Sequence, residues 1–288
     1  MRTRTIEWQV AGACNYDCSY CIQSPRYRRG RPQRDQLERA IETFAALPGT
    51  WEIKCSGGEA FAHPLFLAHV VPALMARTTH RISVLTNFSA SRAELMRFVQ
   101  LTRGRLAVFS ASLHLEFAAI EDFAAKAEWF VLQLEPGVGF VVNQVVLPGK
   151  EREAEACRAA IEARGVRWFP QLYKRDGGVA DYPDPEALVP LIGRRPTPRE
   201  ANVAPSYRGR TCWAGIDYFV VDKDGDAWAC RTAKRFDQGA LGNIFDGTLA
   251  RLGEPAPCSY DICPCTVPAN RGMIDGIAPS AIEELGAE

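Results

Sequence analysis

Short β-branched and aromatic runs alternate with helix-spaced apolar positions from residue 5 to about residue 173. Strands are predicted over TIEWQV (5–10), WEIKC (51–55), RISVLT (81–86), LAVFSASL (106–113), FVVNQVVLP (140–148) and VRWFPQLY (166–173). After the first strand, Leu37, Ala40, Ile41, Phe44 and Leu47 recur at helical spacing, with Asp35 as the expected N-cap. Similar windows follow the later strands, at about 64–77, 91–101, 117–132 and 150–164. Six such βα units predict an α/β fold built as a partial (β/α)6 parallel barrel, with a doubly wound open sheet as the rival architecture.

The pattern then changes. Pro183, Pro185, Pro190, Pro196, Pro198 and Pro205 interrupt any long helix, so residues 176–210 read as a Pro/Arg-rich linker after a core of residues 1–175. Beyond it, GIDYFVVDKDGDAWACRTA (215–233) has apolar runs on both sides of Asp224-Gly225, a hairpin signal, and DGTLARL (246–252) reads as a short helix. Residues 211–288 are therefore expected to form a small Cys-rich hairpin-and-helix subdomain.

Composition narrows the function classes. With 47% hydrophobic and 24% charged residues the chain can bury a full core. Its 34 basic and 34 acidic side chains balance, so no global field draws it to nucleic acid or an acidic membrane. The run Arg26, Arg28, Arg29, Arg31 and Arg34 reads as a solvated loop face ahead of an anion site. The opening MRTRTIEWQV lacks a signal-peptide core and no window approaches the ~20 apolar residues that span a bilayer, so a cytoplasmic location is expected.

Ten cysteines are too many to ignore in such a chain. Eight fall into two groups, 14/18/21 and 212/230/258/263/265; Cys55 and Cys157 stand apart and read as packing residues. The first group, CNYDCSYC, follows the first predicted strand directly, on the face where α/β barrels build their sites. A closed zinc site needs four ligands, and the nearest fourth candidates, Cys55 and His63, belong to another unit. Three thiolates alone suit a cubane iron–sulfur cluster whose fourth iron is left open.

Cys14-x3-Cys18-x-Tyr20-Cys21, together with SGGEAF at 56–61 after the second strand, resembles the signature of the radical S-adenosylmethionine enzyme superfamily. The resemblance implies that Cys14, Cys18 and Cys21 hold a [4Fe-4S] cluster whose open iron chelates S-adenosylmethionine, cleaving it reductively to a 5′-deoxyadenosyl radical that takes hydrogen from substrate. It also implies cofactor contacts for Tyr20, Gly57, Gly58 and Glu59, the carboxylate meeting the methionine ammonium. Strand-end polar residues, Thr86, Asn87, Ser110, Ser112 and Asn143, are further candidates for ribose, carboxylate or adenine, against ordinary turn and core bonding. His114 shares the facing of Ser112, with a structural role as the favoured reading.

In the second group, Cys212, Gly225-x4-Cys230 and Cys258-x4-Cys263-x-Cys265 resemble the twitch subdomain, a smaller relative of SPASM modules, which holds an auxiliary [4Fe-4S] cluster. Four of the five would be ligands: Cys212 and Cys230 with two of Cys258, Cys263 and Cys265. The fifth is free to act as a hydrogen-atom donor, and structural zinc is the alternative. This layout implies an oxidoreductase or maturase acting on a small molecule or peptide, dehydrogenase-like, with epimerisation and peptide crosslinking as alternatives. An electron donor such as flavodoxin or ferredoxin is implied, and a separate leader-binding protein if the substrate is a peptide. A non-catalytic iron–sulfur or zinc protein would not need Gly57, Gly58 and Glu59.

Overall fold

The computed structural model describes residues 2–23, 28–175, 178–192, 206–261 and 267–277. Six strands alternating with five helices come first: β1 (Thr5–Ala11), α1 (Arg34–Ala45), β2 (Glu52–Gly57), α2 (Val71–Arg77), β3 (Arg81–Thr86), α3 (Arg92–Leu101), β4 (Leu106–Leu113), α4 (Ile120–Val131), β5 (Gly139–Val146), α5 (Glu151–Glu162) and β6 (Trp168–Leu172). A small ladder, β7 (Lys174–Arg175) and β8 (Gly178–Val179), precedes α6 (Val189–Ile192). The remainder comprises β9 (Thr211–Cys212), β10 (Tyr218–Val221), β11 (Asp226–Trp228), α7 (Arg231–Arg235), β12 (Ala240–Asn243), β13 (Ala256–Pro257) and α8 (Val267–Asn270).

Nine strands form one open sheet in the order β12-β11-β10-β1-β2-β3-β4-β5-β6, and β1 to β6 are parallel throughout. This is the expected partial barrel, not closed. Pattern analysis predicts the hairpin of β10 and β11 but not its place: β10 pairs in parallel with β1, Ile6 opposite Phe219 and Trp8 opposite Val221, so the hairpin extends the barrel sheet. Its turn closes on Asp222, which accepts the amides of Asp224 and Asp226, while Gly225 takes a positive φ of 87°.

Alternation divides the sheet into two unlike faces. Ile6, Trp8, Ile53, Cys55, Val84 and Phe109 point to the helices and are fully buried, Trp8 meeting Phe44 of α1 edge-on at 5.2 Å. The inner face is polar. There Glu7 pairs with Arg231 and lies 3.9 Å from Lys54, while Glu52 accepts Arg271 at 2.8 Å and Ser83 at 2.6 Å. These bonds tie the C-terminal part of the chain to β1 and β2. Burial alone would raise the Glu7 pKa, but Arg231 and Lys54, aided by bonds from Arg231 and Tyr218, hold it below the ordinary value.

Three local expectations need correction. Gln33, not Asp35, caps α1: its amide donates to the Gln36 side chain at 2.7 Å, and Asp35 sits in the first turn, favoured there by the helix dipole. The helix expected at 64–77 is a π-helical turn, Phe66–Val70, leading into α2, because Pro72 has no N–H to continue the α ladder. DGTLARL is not helical. Gly247 takes a positive φ, Thr248 bonds Asp246, and Ala250 and Leu252 donate to Leu241 and Gly215, which holds the run extended. Among the described residues, no helix is long and apolar enough to cross a membrane.

Candidate active site at the carboxyl ends of the strands

The loop that follows β1 carries Cys14, Cys18 and Cys21, with Cys18 buried and the other two half-buried. It is held from three sides. From β2, Gly58 and Glu59 donate their amides to Ala11 and Ala13 at 2.8 and 3.0 Å. A Cβ on Gly57 would stand 2.1 Å from the Ala11 carbonyl oxygen and one on Gly58 2.2 Å from that of Gly12, and Gly57 also has φ +145°. Both positions therefore require glycine. The approach they permit here is to the chain's own cysteine loop.

From β3, Asn87 donates through Nδ2 to Asn15 Oδ1 at 2.9 Å and reaches Cys14 Sγ at 3.8 Å, while Asn15 donates to Ser89 at 2.9 Å. Glu59 joins these two walls. Only 1% exposed, its carboxylate accepts Phe61 N at 3.0 Å, Thr86 Oγ1 at 2.8 Å and Asn87 N at 2.6 Å. An ionised carboxylate offers about four acceptor positions, so one remains for a further donor. Burial pushes the Glu59 pKa up against the pull of these bonds.

From β4, Tyr20 meets His114: the hydroxyl lies 2.9 Å from Nδ1 and the rings stack with centroids 5.8 Å apart. Burial pushes the His114 pKa down, favouring neutral imidazole at pH 7. Ser112 of β4 is the register partner of Asn143 of β5, so these two candidates stand side by side, both half-buried; Ser110 lies deeper in the same strand.

The thiols interact. Burial, reinforced by Cys21, Glu116 and Cys14, pushes Cys18 up to about 11, and burial with Glu59 and Cys21 raises Cys14. Among the described residues no three His, Cys, Asp or Glu side chains gather around a single metal ion. A cubane cluster puts each thiolate on a different iron, which separates the sulfurs more than one ion does. Three neighbouring thiols on one loop, with no fourth ligand beside them among the described residues, fit that group. His63 is no fourth ligand: one ring nitrogen is 3.3 Å from the Pro32 carbonyl and the other accepts Leu65 N at 3.1 Å. Cys55 of β2 and Cys157 of α5 are buried free thiols outside the loop, Cys55 pushed up to about 12 by burial.

In the second group, the antiparallel pairing of β13 with β9 sets Cys212 opposite Ala256, and Cys258 N donates to Arg210 at 2.8 Å. Burial, with Cys258 among the further causes, pushes the Cys212 thiol up to about 11, and burial together with Cys230 and Cys258 raises the Tyr260 pKa. Cys230 begins α7, its sulfur accepting Ala233 N at 3.3 Å. Cys263 and Cys265, like Arg26 of the basic run, lie outside the described residues. Arg28 of that run pairs with Asp17 at 2.6 Å.

Asn15, Ser89, Glu116 and Phe117 belong to the site although sequence reasoning passed them over. Each acts through a partner distant in the chain, and no spacing signals that.

No family model matches the sequence, and no curated protein does. Solved structures do match. Superposition on anSMEcpe with bound AdoMet gives a TM-score of 0.59 at 16% identity, covering 85% of this chain and 78% of that one. BtrN in complex with AdoMet and 2-DOIA gives 0.52 at 16% identity, over 86% and 80%. SuiB of Streptococcus suis bound to the precursor peptide SuiA gives 0.62 at 13% identity, over 86% of this chain but only 64% of SuiB. The partial α/β barrel of this chain, with its C-terminal extension, is thus the fold of these AdoMet-bound and peptide-bound proteins.

Proposed function

We propose that this chain is a radical S-adenosylmethionine enzyme, an oxidoreductase or maturase with one radical-generating [4Fe-4S] cluster and one auxiliary cluster. The observation that carries the reading is the cysteine trio on the β1 loop, braced by Gly57, Gly58 and Glu59 at the carboxyl end of the sheet. The shared fold with AdoMet-bound anSMEcpe supports it. Cys14, Cys18 and Cys21 would hold the first cluster, and Cys212, Cys230 and two of Cys258, Cys263 and Cys265 the second. When bound, the first cluster and S-adenosylmethionine supply reductive cleavage and hydrogen-atom abstraction.

This chain's residues bind, orient and shield. Glu59 offers its remaining acceptor position to the methionine ammonium, Asn87 fixes the Cys14 end of the loop, and Tyr20 with Ser112 and Asn143 lines the cofactor's seat. The polar inner face of the sheet suits a hydrophilic substrate. Both classes have precedent in the shared fold, SuiB with a precursor peptide and BtrN with 2-DOIA, so the substrate is a small molecule or a peptide, the latter presented by a separate leader-binding protein. A flavodoxin or ferredoxin in the cytoplasm would supply the electron. A dehydrogenase-like oxidation through the auxiliary cluster is the leading chemistry; epimerisation with the fifth cysteine as hydrogen donor is the second.

The deciding experiment is anaerobic incubation of iron- and sulfide-reconstituted protein with S-adenosylmethionine and dithionite. Formation of 5′-deoxyadenosine is expected; its absence from a protein that carries the clusters would overturn the class.

A further inference from the structure

We propose that the turn after β4, His114 to Phe117, is a clamp that fixes the arm of the cysteine loop between Cys18 and Cys21, with Glu116 as its main positioning residue. The arm needs one. Residues 12–23 contain no helix or strand, and the only backbone bond within the arm is Cys21 N to Cys18 O at 3.2 Å. Gly57, Gly58 and Asn87 act on its beginning, around Ala11 to Asn15, and Gln23 ties the chain past Cys21 to the Gly57 carbonyl at 2.8 Å, so β2 and β3 hold the loop on either side of the stretch from Cys18 to Cys21.

Three side chains of the β4 turn fill that gap. Glu116 accepts the Ser19 amide on one carboxylate oxygen at 2.9 Å and the Ser19 hydroxyl on the other. Phe117 lies flat on Tyr16, centroids 4.4 Å apart at 8°, and is otherwise 43% exposed, an apolar ring with no other evident purpose at the surface. His114 takes the Tyr20 hydroxyl and stacks on its ring. The turn is itself closed, Phe117 N and Ala118 N both donating to His114 O at 2.9 and 3.0 Å, so it presents a fixed surface. Contacts to Tyr16, Ser19 and Tyr20 thus bracket Cys18 and precede Cys21 directly. Sulfurs that must meet a cluster at set positions gain most from such preorganisation, because a loop would otherwise lose its freedom at the moment of binding.

The inference deepens the proposed function, yet it is testable without a cluster. The full chain, iron-free and anaerobic, is treated with iodoacetamide, and alkylation of each cysteine is followed by mass spectrometry. With Glu116→Ala, Cys18 and Cys21 should react about tenfold faster, the factor that ~1.4 kcal/mol of lost charge-assisted hydrogen bonding gives. Cys55 and Cys157 should not change. Glu116→Gln, whose amide can still accept from the Ser19 amide and donate to its hydroxyl, should stay within about twofold of wild type. His114→Phe, which keeps a ring but loses the Tyr20 bond, should give a smaller rise at the same two cysteines. Wild-type rates at Cys18 in Glu116→Ala overturn the clamp, and so does a rise at Cys55 and Cys157 as well, which marks general loosening. Equal rises in Glu116→Ala and Glu116→Gln also overturn it, since charge alone would then account for them. Iron uptake by the wild-type chain tests the parent reading separately, and its failure leaves the alkylation pattern decisive for the clamp.

Discussion

The two cysteine groups are built in opposite ways. In the first, three thiols share one short loop, and their geometry comes from neighbours that reach in from the ends of β2, β3 and β4. In the second, Cys212 sits in β9, Cys230 at the start of α7 and Cys258 just past β13, so only the folding of that whole segment could bring them to one centre. If both groups are the proposed sites, sequence spacing locates the first, while for the second it gives the candidate cysteines without their arrangement. Energetically, cluster binding at the proposed second site would be coupled to folding of the segment around it, more than at the first, whose loop is held by the barrel strands.

Two variant sets break this comparison most directly. Replacing Cys14, Cys18 and Cys21 together by alanine should abolish 5′-deoxyadenosine formation and lower iron from about eight to about four atoms per chain. Its thermal stability in the iron-free state should fall by no more than about 1 kcal/mol, since of the three only Cys18 is buried and a single small side-chain atom is trimmed there. Single alanine variants of the second group behave differently. Cys212→Ala and Cys230→Ala should each lose about four irons and loosen residues 211–261 in hydrogen exchange. Among Cys258, Cys263 and Cys265, two should do the same and one should keep its iron. Retention of full iron in all five single variants would remove the auxiliary cluster from the proposal.

The same division governs what could be read beforehand. The strands at 81–86 and 106–113 match their predicted bounds because in each the apolar residues that face the helices alternate with small polar ones, Ser83 in the first and Ser110 and Ser112 in the second, over the whole run. Gly57-Gly58 is legible as a motif, but its physical cause, backbone oxygens of Ala11 and Gly12 lying where a Cβ would be, exists only once β1 and β2 pair. The position of β10 beside β1 is illegible for a related reason: Tyr218 to Val221 is an apolar run that would suit either a free hairpin or a sheet edge. Asp35 misled because capping chemistry is shared by several polar residues, and Gln33 with Gln36 supplies it here.

Joining the two regions is the inner-face network, where Arg231 and Arg271 reach Glu7 and Glu52. Glu7→Gln would leave Lys54 and Arg231 without their shared carboxylate. The cost should be about 2 kcal/mol, below the range for fully buried pairs because the Arg231 side chain keeps 37% exposure. Because the folded pKa of Glu7 is lowered, its contribution is fully present above the unfolded carboxylate pKa of about 4.3 and is lost as pH falls through the folded value. Urea titrations of wild type and variant should therefore converge in acid and separate near neutrality. A gap that stays constant with pH would mean that Glu7 acts through packing.

Glu59 should show the reverse pH signature and the smallest effect, which makes it the sharpest probe of how the first site is braced. Burial raises its folded pKa, so its contribution is most favourable below the unfolded pKa and declines as pH rises through the folded one. Glu59→Gln removes the buried charge but gives up one acceptor, since its amide nitrogen cannot take the bond that Asn87 N now donates. The two changes oppose, and stability near pH 7 should shift by no more than about 1 kcal/mol. Iron in the first site should be unchanged, because no iron ligand is touched. Affinity for S-adenosylmethionine should fall about tenfold, as expected when the carboxylate meeting an ammonium group becomes neutral. Equilibrium binding to the reconstituted variant measures this. An unchanged affinity would leave Glu59 as a brace between β2 and β3 alone, with the three protein donors it already accepts as its whole function.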